Sequence, residues 1–193
     1  MIAGHFGFAA AIKSRTPTAP LWALMLACVW LDIVFVPLLA AGIESIDSVP
    51  GAPKGAYGAS IIHADYTHSL LGAIILSALF GLAFLGRYAR NTAFVLGLVV
   101  MSHWLLDLPM HRRDMPLLPG GIDPVRLGFG LWRWPVASAL VELALVVVGA
   151  ALYWRAVEAL TATHPEKRTL GRVCAVSVLA AGLLTLALGG LGS

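Results

Sequence analysis

The chain is organised around one stretch, residues 102–113, which reads SHWLLDLPMHRR and closes an apolar run of membrane length. His103 and Asp107 are four residues apart, so on an α-helix they lie on the same face, one turn apart, and can bind one ion. His111 follows four residues later, after Pro109, which lacks a backbone N–H and predicts a bend. Because ionisable side chains are costly inside an apolar membrane segment, this stretch predicts a metal site within a membrane helix.

Composition places the whole chain in one structural class. Of the 193 residues, 59% are hydrophobic and only 12% are charged, and the mean hydropathy is +0.86, which is typical of a membrane protein and not of a soluble domain. We predict an all-α fold, a polytopic membrane bundle of about five transmembrane helices plus a short N-terminal half-helix, with residues 1–193 forming a single integral membrane domain. The predicted spans lie near residues 20–42, 67–86, 91–110, 132–154 and 170–188.

The first residues do not have the order of a secretory signal. Residues 1–12 are apolar and come before Lys13 and Arg15, whereas a signal peptide has its basic residues first. We therefore expect this segment to be retained as a half-helix that brings His5 to mid-membrane depth. The two cysteines lie in different apolar runs, so they do not indicate a disulfide framework.

The basic residues indicate how the helices are oriented. Cytoplasmic loops of membrane proteins are enriched in Lys and Arg, and most of the 13 basic residues fall on one side of the predicted spans. That side carries Lys13, Arg15, Arg87, Arg90, Arg155, Lys167, Arg168 and Arg172. We predict a cytoplasmic N-terminus and two long external connections, residues 43–66 and 111–131. The formal net charge of +3 is small and spread over the loops, which argues against nucleic acid as a partner.

The ionisable residues of the apolar runs share a common depth in the predicted membrane. Asp32 lies in the first span, His68 opens the second from the outside, His103 and Asp107 lie in the third, and Glu142 lies in the fourth. Any one of them alone could be a hydrogen-bonding residue between packed helices. Since all of them lie at mid-depth or in the outer half, we predict that they form one site near the outer face.

Part of this pattern resembles a known family. Residues 63–69, which read HADYTHS, precede the H-x-x-x-D spacing of the third span, with His5 and Asp32 upstream. The YdjM-like family of bacterial inner-membrane proteins, described as metal-dependent hydrolases, has a similar pattern, approximately H-R-G-x-T-H-S followed by H-x-x-x-D. The resemblance covers residues 5–111, with Ala-Asp in place of the Arg-Gly pair. It implies a metal-dependent hydrolase in the bacterial inner membrane.

The residue types in this set favour a divalent metal ion. Mixed imidazole and carboxylate ligands suit Zn²⁺ best, with Mn²⁺ or Fe²⁺ as alternatives, and a bound metal activates water for hydrolysis while a remaining carboxylate moves the proton. The sequence contains no G-x-S-x-G elbow or P-loop that would indicate another mechanism. The predicted metal ligands are His5, Asp32, His68, His103 and Asp107. The predicted catalytic residues are Glu142, Asp65 and Ser69.

Arginines next to the predicted site indicate a class of substrate. Arg112 and Arg113 directly follow the third span, at the depth of lipid head groups, where guanidinium groups bind phosphate or carboxylate. We predict a lipid or lipid-linked ester or phosphoester as substrate and membrane lipids as partners, although these arginines could simply contact anionic head groups. The predicted substrate-binding residues are His63, His111, Arg112 and Arg113.

Two other classes of function fit the same residues. A small metal- or proton-linked transporter also needs buried acidic and His residues near mid-membrane. An accessory membrane protein without catalysis could use them to hold its helices together. The sequence contains no matching pair of broken helices, which argues against a transporter, and the metal content of the purified protein would distinguish the three classes.

Overall fold

The computed structural model describes residues 1–52, 58–122 and 124–190. Helices make up 70% of the protein, so the prediction of an all-α fold is confirmed. Within the described residues the α-helices are α1 (Ile2–Arg15), α2 (Leu21–Cys28), α3 (Trp30–Ala40), α4 (Leu70–Phe84), α5 (Arg90–Met110), α6 (Pro135–Thr163) and α7 (Arg168–Gly190).

Within the described residues, three stretches of helix are long and apolar enough to cross a membrane, namely α5, α6 and the segment Pro165–Gly189, which includes nearly all of α7. A fourth span results if α2 and α3, which are bent by 49° at the break between them, count as one. α4 has only 15 residues, or about 22 Å of helix, which is short of a hydrocarbon core of roughly 30 Å. The predicted number of about five spans is therefore not confirmed. The residues before α4 form a turn and its N-cap, Ser69, instead of a further helical turn.

The break between α2 and α3 does not fall at a proline. Pro37 lies inside α3 and Pro109 inside α5, and neither proline ends its helix. The break falls instead at Val29, whose backbone leaves the helical region at φ −120° and ψ 14°. Because the last carbonyls of a helix lack intrahelical donors, this break makes the carbonyl of Cys28 available to another helix.

α1 packs against α6 with the two backbones in direct contact. A Cβ atom added at Gly7 would overlap the carbonyl of Leu145, and one at Gly149 would overlap the carbonyl of Gly7. Glycines allow this approach because they have no side chain. The two helices are parallel, so the first turn of α1 lies beside Glu142, whose Oε2 accepts a hydrogen bond from Gly4 N at 3.1 Å.

Two further pairs of helices pack as antiparallel neighbours. α4 contacts α5 through Gly81 and Gly97, and α6 contacts α7 through Val157 and Gly171. α2 packs between α1 and α5, which brings its C-terminal end next to the middle of α5. The main apolar core lies between α2, α3, α4 and α5 and includes Leu24, Leu31, Phe80, Leu96, Val99, Val100 and Trp104.

Large apolar side chains cover the outside of the bundle. Exposed examples on α4 to α7 are Leu79, Leu82, Phe94, Leu98, Leu140, Val148, Val173, Leu184 and Leu188. Soluble proteins seldom expose apolar patches of this extent, whereas a helix in a bilayer presents such side chains to lipid. The outer surface therefore agrees with several helices that are able to span a membrane.

Both long connections contain a two-stranded antiparallel hairpin, which the sequence did not predict. The paired strands are β1 (Ser45–Ser48) with β2 (Ser60–His63), and β3 (Met115–Pro116) with β4 (Arg126–Leu127). Ile62 N donates a hydrogen bond to Asp114 Oδ2 at 3.1 Å, which joins one connection to the other. Residues 53–57 and 123 of these connections lie outside the described residues.

Candidate metal centre

The predicted metal ligands converge at one end of the bundle. They are His5 in the first turn of α1, Asp32 in the first turn of α3, His68 directly before α4, and His103 and Asp107 one turn apart on α5. His111, which follows α5 as its C-cap, lies next to them. The four histidines and Asp107 are buried, whereas the side chain of Asp32 is 33% exposed. The cluster is therefore enclosed on all sides but that of Asp32.

The ligand atoms of four side chains are close to one another. Nε2 of His103 lies 3.1 Å from Asp107 Oδ2, 3.3 Å from His68 Nε2 and 3.6 Å from Asp32 Oδ1. Nε2 of His68 lies 3.5 Å from the same Asp32 oxygen and 4.0 Å from Asp107 Oδ2. Neighbouring ligand atoms of a tetrahedral zinc site are about 3.3 Å apart, given bonds of about 2.0–2.1 Å. The separations around His103 are close to this value.

The carbonyl at the end of α2 determines which nitrogen of His103 carries the proton. Nδ1 of His103 lies 2.8 Å from Cys28 O. A carbonyl oxygen can only accept a hydrogen bond, so Nδ1 is the donor and carries the hydrogen. In the neutral ring, Nε2 therefore presents its lone pair to the cluster. The helix break at Val29 is what makes this acceptor available.

Hydrogen bonds through Thr67 and Glu44 determine which nitrogen of His68 carries the proton. The carboxylate of Glu44, which is 2% exposed, accepts hydrogen bonds from Tyr66 N at 2.8 Å and Thr67 N at 2.9 Å. The Thr67 hydroxyl donates to Glu44 Oε2 at 3.0 Å, so its oxygen accepts from His68 Nδ1 at 2.9 Å. Nε2 of a neutral His68 consequently presents a lone pair to the cluster as well.

His111 has the same hydrogen-bond polarity, with Nδ1 as the donor to a group outside the cluster. Its Nδ1 lies 3.0 Å from Asp114 Oδ1 and donates to that carboxylate, while Asp114 is in turn oriented by Ile62 N. Nε2 of His111 lies 3.7 Å from Asp107 Oδ2. All three imidazoles thus have Nδ1 engaged by an outer acceptor and Nε2 turned towards the carboxylates.

This common polarity would allow the side chains to hold a cation between them. Two neutral rings whose Nε2 lone pairs are 3.3 Å apart repel each other and the neighbouring carboxylates, and burial makes such an arrangement costly. Metal-binding histidines characteristically donate their other N–H to a carboxylate or a backbone carbonyl, as His68, His103 and His111 do. The buried His and Asp groups could hold a metal ion, either as Asp32, His68 and His103 or as His5, His103 and Asp107.

His5 contributes a further unsatisfied group. Its ring stacks on that of His103 with 3.8 Å between centroids, and its Nε2 lies 3.2 Å from Asp107 Oδ1. Asp107 Oδ1 also forms an ion pair with the amino group of Met1 at 3.4 Å. The contact of His5 with Asp107 lacks hydrogen-bond geometry, so within the described residues neither ring nitrogen of His5 has a hydrogen-bond partner. Since buried polar atoms are nearly always satisfied, these atoms also favour a ligand at this position.

Glu142 lies beside the cluster but outside these two groups. It is buried, it holds Gly4 N, and it lines a cavity of about 260 Å³ next to the first turn of α1. Trp132 and Ile62 form part of the same cavity wall. The proton-transfer role of Glu142 stays a prediction.

Two predicted catalytic residues have other partners in the structure. Asp65 forms an ion pair with Arg126 at 3.2 Å. Ser69 is the N-cap of α4: its Oγ accepts from Gly72 N at 3.0 Å and donates to Tyr66 O at 2.9 Å. Both contacts anchor the turn before α4, so they support the position of His68 and do not reach the ligand atoms.

The predicted substrate-binding residues also lie in different places. His63, at the end of β2, contacts Asp47 Oδ2 at 3.1 Å in an exposed pair, whereas His111 belongs to the cluster. Arg112 donates to Gly58 O at 3.1 Å, and Arg113 is exposed.

Comparison of the chain with protein-family profiles, characterised proteins and solved structures finds no match. The resemblance to the YdjM-like family stays a prediction.

Three residues that orient the histidines lie outside the predicted set. Thr67 is adjacent to His68 in the sequence, so a search for hydroxyl groups next to candidate ligands would have found it. Asp114 is only three residues after His111, so a search for acidic residues near the candidate ligands would have found it. Glu44 has no such signal, because it is 23 residues from Thr67 and reaches it only through the tertiary fold.

Proposed function

We propose that the protein is a membrane-embedded, metal-dependent hydrolase, with zinc as the metal, that acts on a lipid or lipid-linked ester or phosphoester. The single observation that carries this proposal is the shared polarity of His68, His103 and His111, whose Nε2 atoms face a pair of aspartates. A network of imidazolium–carboxylate pairs would have the same contacts without a metal, because both nitrogens of a protonated imidazole donate. The metal content of the purified protein decides between the two.

The side chains of the site have different roles in the proposed hydrolase. His68, His103, Asp32 and Asp107 hold the metal, and a bound divalent ion would supply Lewis acidity for activating water and polarising the scissile group. Asp32 forms the open side of the cluster because it alone is partly exposed. Glu142 would carry the proton, since a buried carboxylate beside the cavity can exchange it with a bound substrate.

The position of the site in the membrane supports a lipid-derived substrate. His5 lies in the first turn of α1 and Lys13 in its last turn, while His68 precedes α4 and Arg87 follows it. The cluster and the basic residues therefore lie at opposite ends of these helices. By the enrichment of basic residues on the cytoplasmic side, the cluster faces the outside of the bacterial inner membrane.

Metal analysis of the protein purified in detergent tests the proposal. We expect bound zinc in the wild-type protein, and we expect His103→Ala and Asp107→Ala to lose most of it. His164→Ala is the matched control, because His164 is exposed and its contact is with Glu166. Equal metal content in all of these proteins, or no metal in any, would contradict the proposal.

Turnover then separates catalysis from metal binding alone. A panel of phospholipids, lysolipids and acyl esters should include a substrate whose hydrolysis stops with a chelator and returns with zinc. Glu142→Gln should keep the metal and slow turnover, because the amide cannot take up a proton. Metal-loaded protein that hydrolyses none of the panel but moves ions or solutes into liposomes would replace the hydrolase proposal with a transporter.

A further inference from the structure

A short glycine-containing turn is attached directly to the end of α5 at the metal cluster. Gly130 N donates to His111 O at 2.7 Å, and Phe129 N donates to Leu108 O at 3.0 Å. Gly128 has φ +135° and Gly130 has φ +77°, values that side-chain-bearing residues rarely adopt. The two hydrogen bonds therefore hold the turn against the C-terminal end of α5, where His111 is the C-cap.

This turn forms one wall of a polar cavity. The cavity has a volume of about 500 Å³ and is lined by residues 128–130 together with the side chains of Arg113 and Arg133. Both guanidinium groups are exposed, and in the part of the chain that the structure describes neither has an ion-pair or hydrogen-bond partner. Two positive groups consequently face the same space.

The other two arginines of the described external connections are engaged within the protein. Arg112 donates to Gly58 O at 3.1 Å, and Arg126 pairs with Asp65 at 3.2 Å. These contacts stabilise the loops. The contrast distinguishes Arg113 and Arg133 as the pair that is available to a ligand, whereas Arg112 and Arg113 are the pair that adjacency in the sequence predicts.

Apolar and aromatic residues that line the cavity or closely follow Arg133 in the chain are exposed. Phe129 is 76% exposed, Trp134 is 63% exposed and Val136, in the first turn of α6, is 75% exposed. Aromatic rings at the end of a membrane helix are typical of the level of lipid head groups. The cavity thus combines two guanidinium groups with an edge suited to the interface of a bilayer.

We propose that Arg113 and Arg133 bind the phosphate of a lipid head group and thereby hold the substrate beside the metal cluster. This inference rests on the proposed hydrolase function and narrows its substrate class to lipids that carry phosphate. The non-bridging oxygens of a phosphate have enough lone pairs to accept from two guanidinium groups at once, and the guanidinium fork matches the geometry of phosphate. Because the turn is bonded to His111, a lipid held here lies at the same end of α5 as the cluster.

Binding of a fluorescent phosphatidylglycerol to the full-length protein in a neutral detergent tests the assignment. The double variant Arg113→Gln, Arg133→Gln should bind the labelled lipid about tenfold more weakly or worse, and replacement of both arginines by lysine should lie between this variant and the wild type. Arg87→Gln is the matched control, since it removes one exposed arginine at the other end of α4. Unchanged binding by the double glutamine variant would overturn the assignment.

Competition and metal content distinguish the remaining outcomes. Unlabelled phosphatidylglycerol should displace the probe, whereas oleate and inorganic phosphate should not. Displacement by oleate would show a site for any anionic lipid, and displacement by inorganic phosphate a site for free phosphate; either would overturn the proposal. The double variant should keep the zinc of the wild type, and loss of that zinc would show that the arginines only maintain the fold. A wild-type protein without zinc that still binds the lipid through these arginines would refute the hydrolase but not the head-group site.

Discussion

Thr67→Val tests whether the hydroxyl of Thr67 sets the tautomer of His68. Valine keeps the shape of the side chain but removes the oxygen that accepts from His68 Nδ1 at 2.9 Å and donates to Glu44. The proton can then move to Nε2, because Asp32 Oδ1 lies 3.5 Å away and can accept it. Loss of such an outer partner lowers metal affinity by about 10–100-fold, which corresponds to about 1.4–2.7 kcal/mol.

Zinc affinity can be measured on the purified protein by competition with a fluorescent chelator. Thr67→Ser keeps the hydroxyl and is the matched control, so it should bind zinc as tightly as the wild type. Far-ultraviolet circular dichroism checks that both variants keep their helices. If Thr67→Val binds zinc as tightly as the wild-type protein, the argument from hydrogen-bond polarity is wrong, even though the metal site itself would stand.

Two further predictions concern the bundle and its orientation. Gly7→Ala should destabilise the protein by about 1–3 kcal/mol, because the new Cβ overlaps the carbonyl of Leu145. Gly86→Ala is the control for thermal unfolding in detergent and should show no such loss, because nothing lies within 4 Å of its Cβ. Equal melting temperatures of the two variants would contradict the packing argument. In a chain without its own cysteines, a cysteine at Ile122, which is 79% exposed, should react with an impermeant thiol reagent applied from the periplasm, and one at Thr163 should not. The reverse labelling pattern would show that the protein has the opposite orientation in the membrane.

Part of the candidate site can be read from local periodicity. His103 and Asp107 are one helical turn apart, so their contact at 3.1 Å follows from the helix alone. His5, Asp32 and His68 carry a weaker signal, since each is an ionisable residue in or next to an apolar run. The structure brings all three to the same place, but nothing in their spacing states which atoms would meet.

Other features depend on contacts between distant parts of the chain. The helix break at Val29 lies within a continuous apolar run and has no proline or glycine beside it, so the sequence predicts an unbroken span. The same limit applies to α4, whose start is decided by the cap at Ser69 rather than by hydropathy. The candidate site shows the same limit. The sequence predicts both His63 and His111 as substrate-binding residues, yet only His111 lies in the cluster.

Helix periodicity and hydropathy are properties of neighbouring residues, so the helical class, the apolar exterior and the pairing of His103 with Asp107 follow from the amino-acid sequence. The tautomers of the histidines depend in addition on tertiary contacts. Their partners are a carbonyl at a helix break, a threonine held by Glu44, and Asp114 in a loop. Cys28 is 75 residues from His103 and Glu44 is 23 residues from Thr67, so these contacts depend on how the chain folds over the end of the bundle. Asp114 is only three residues from His111, and this contact is local.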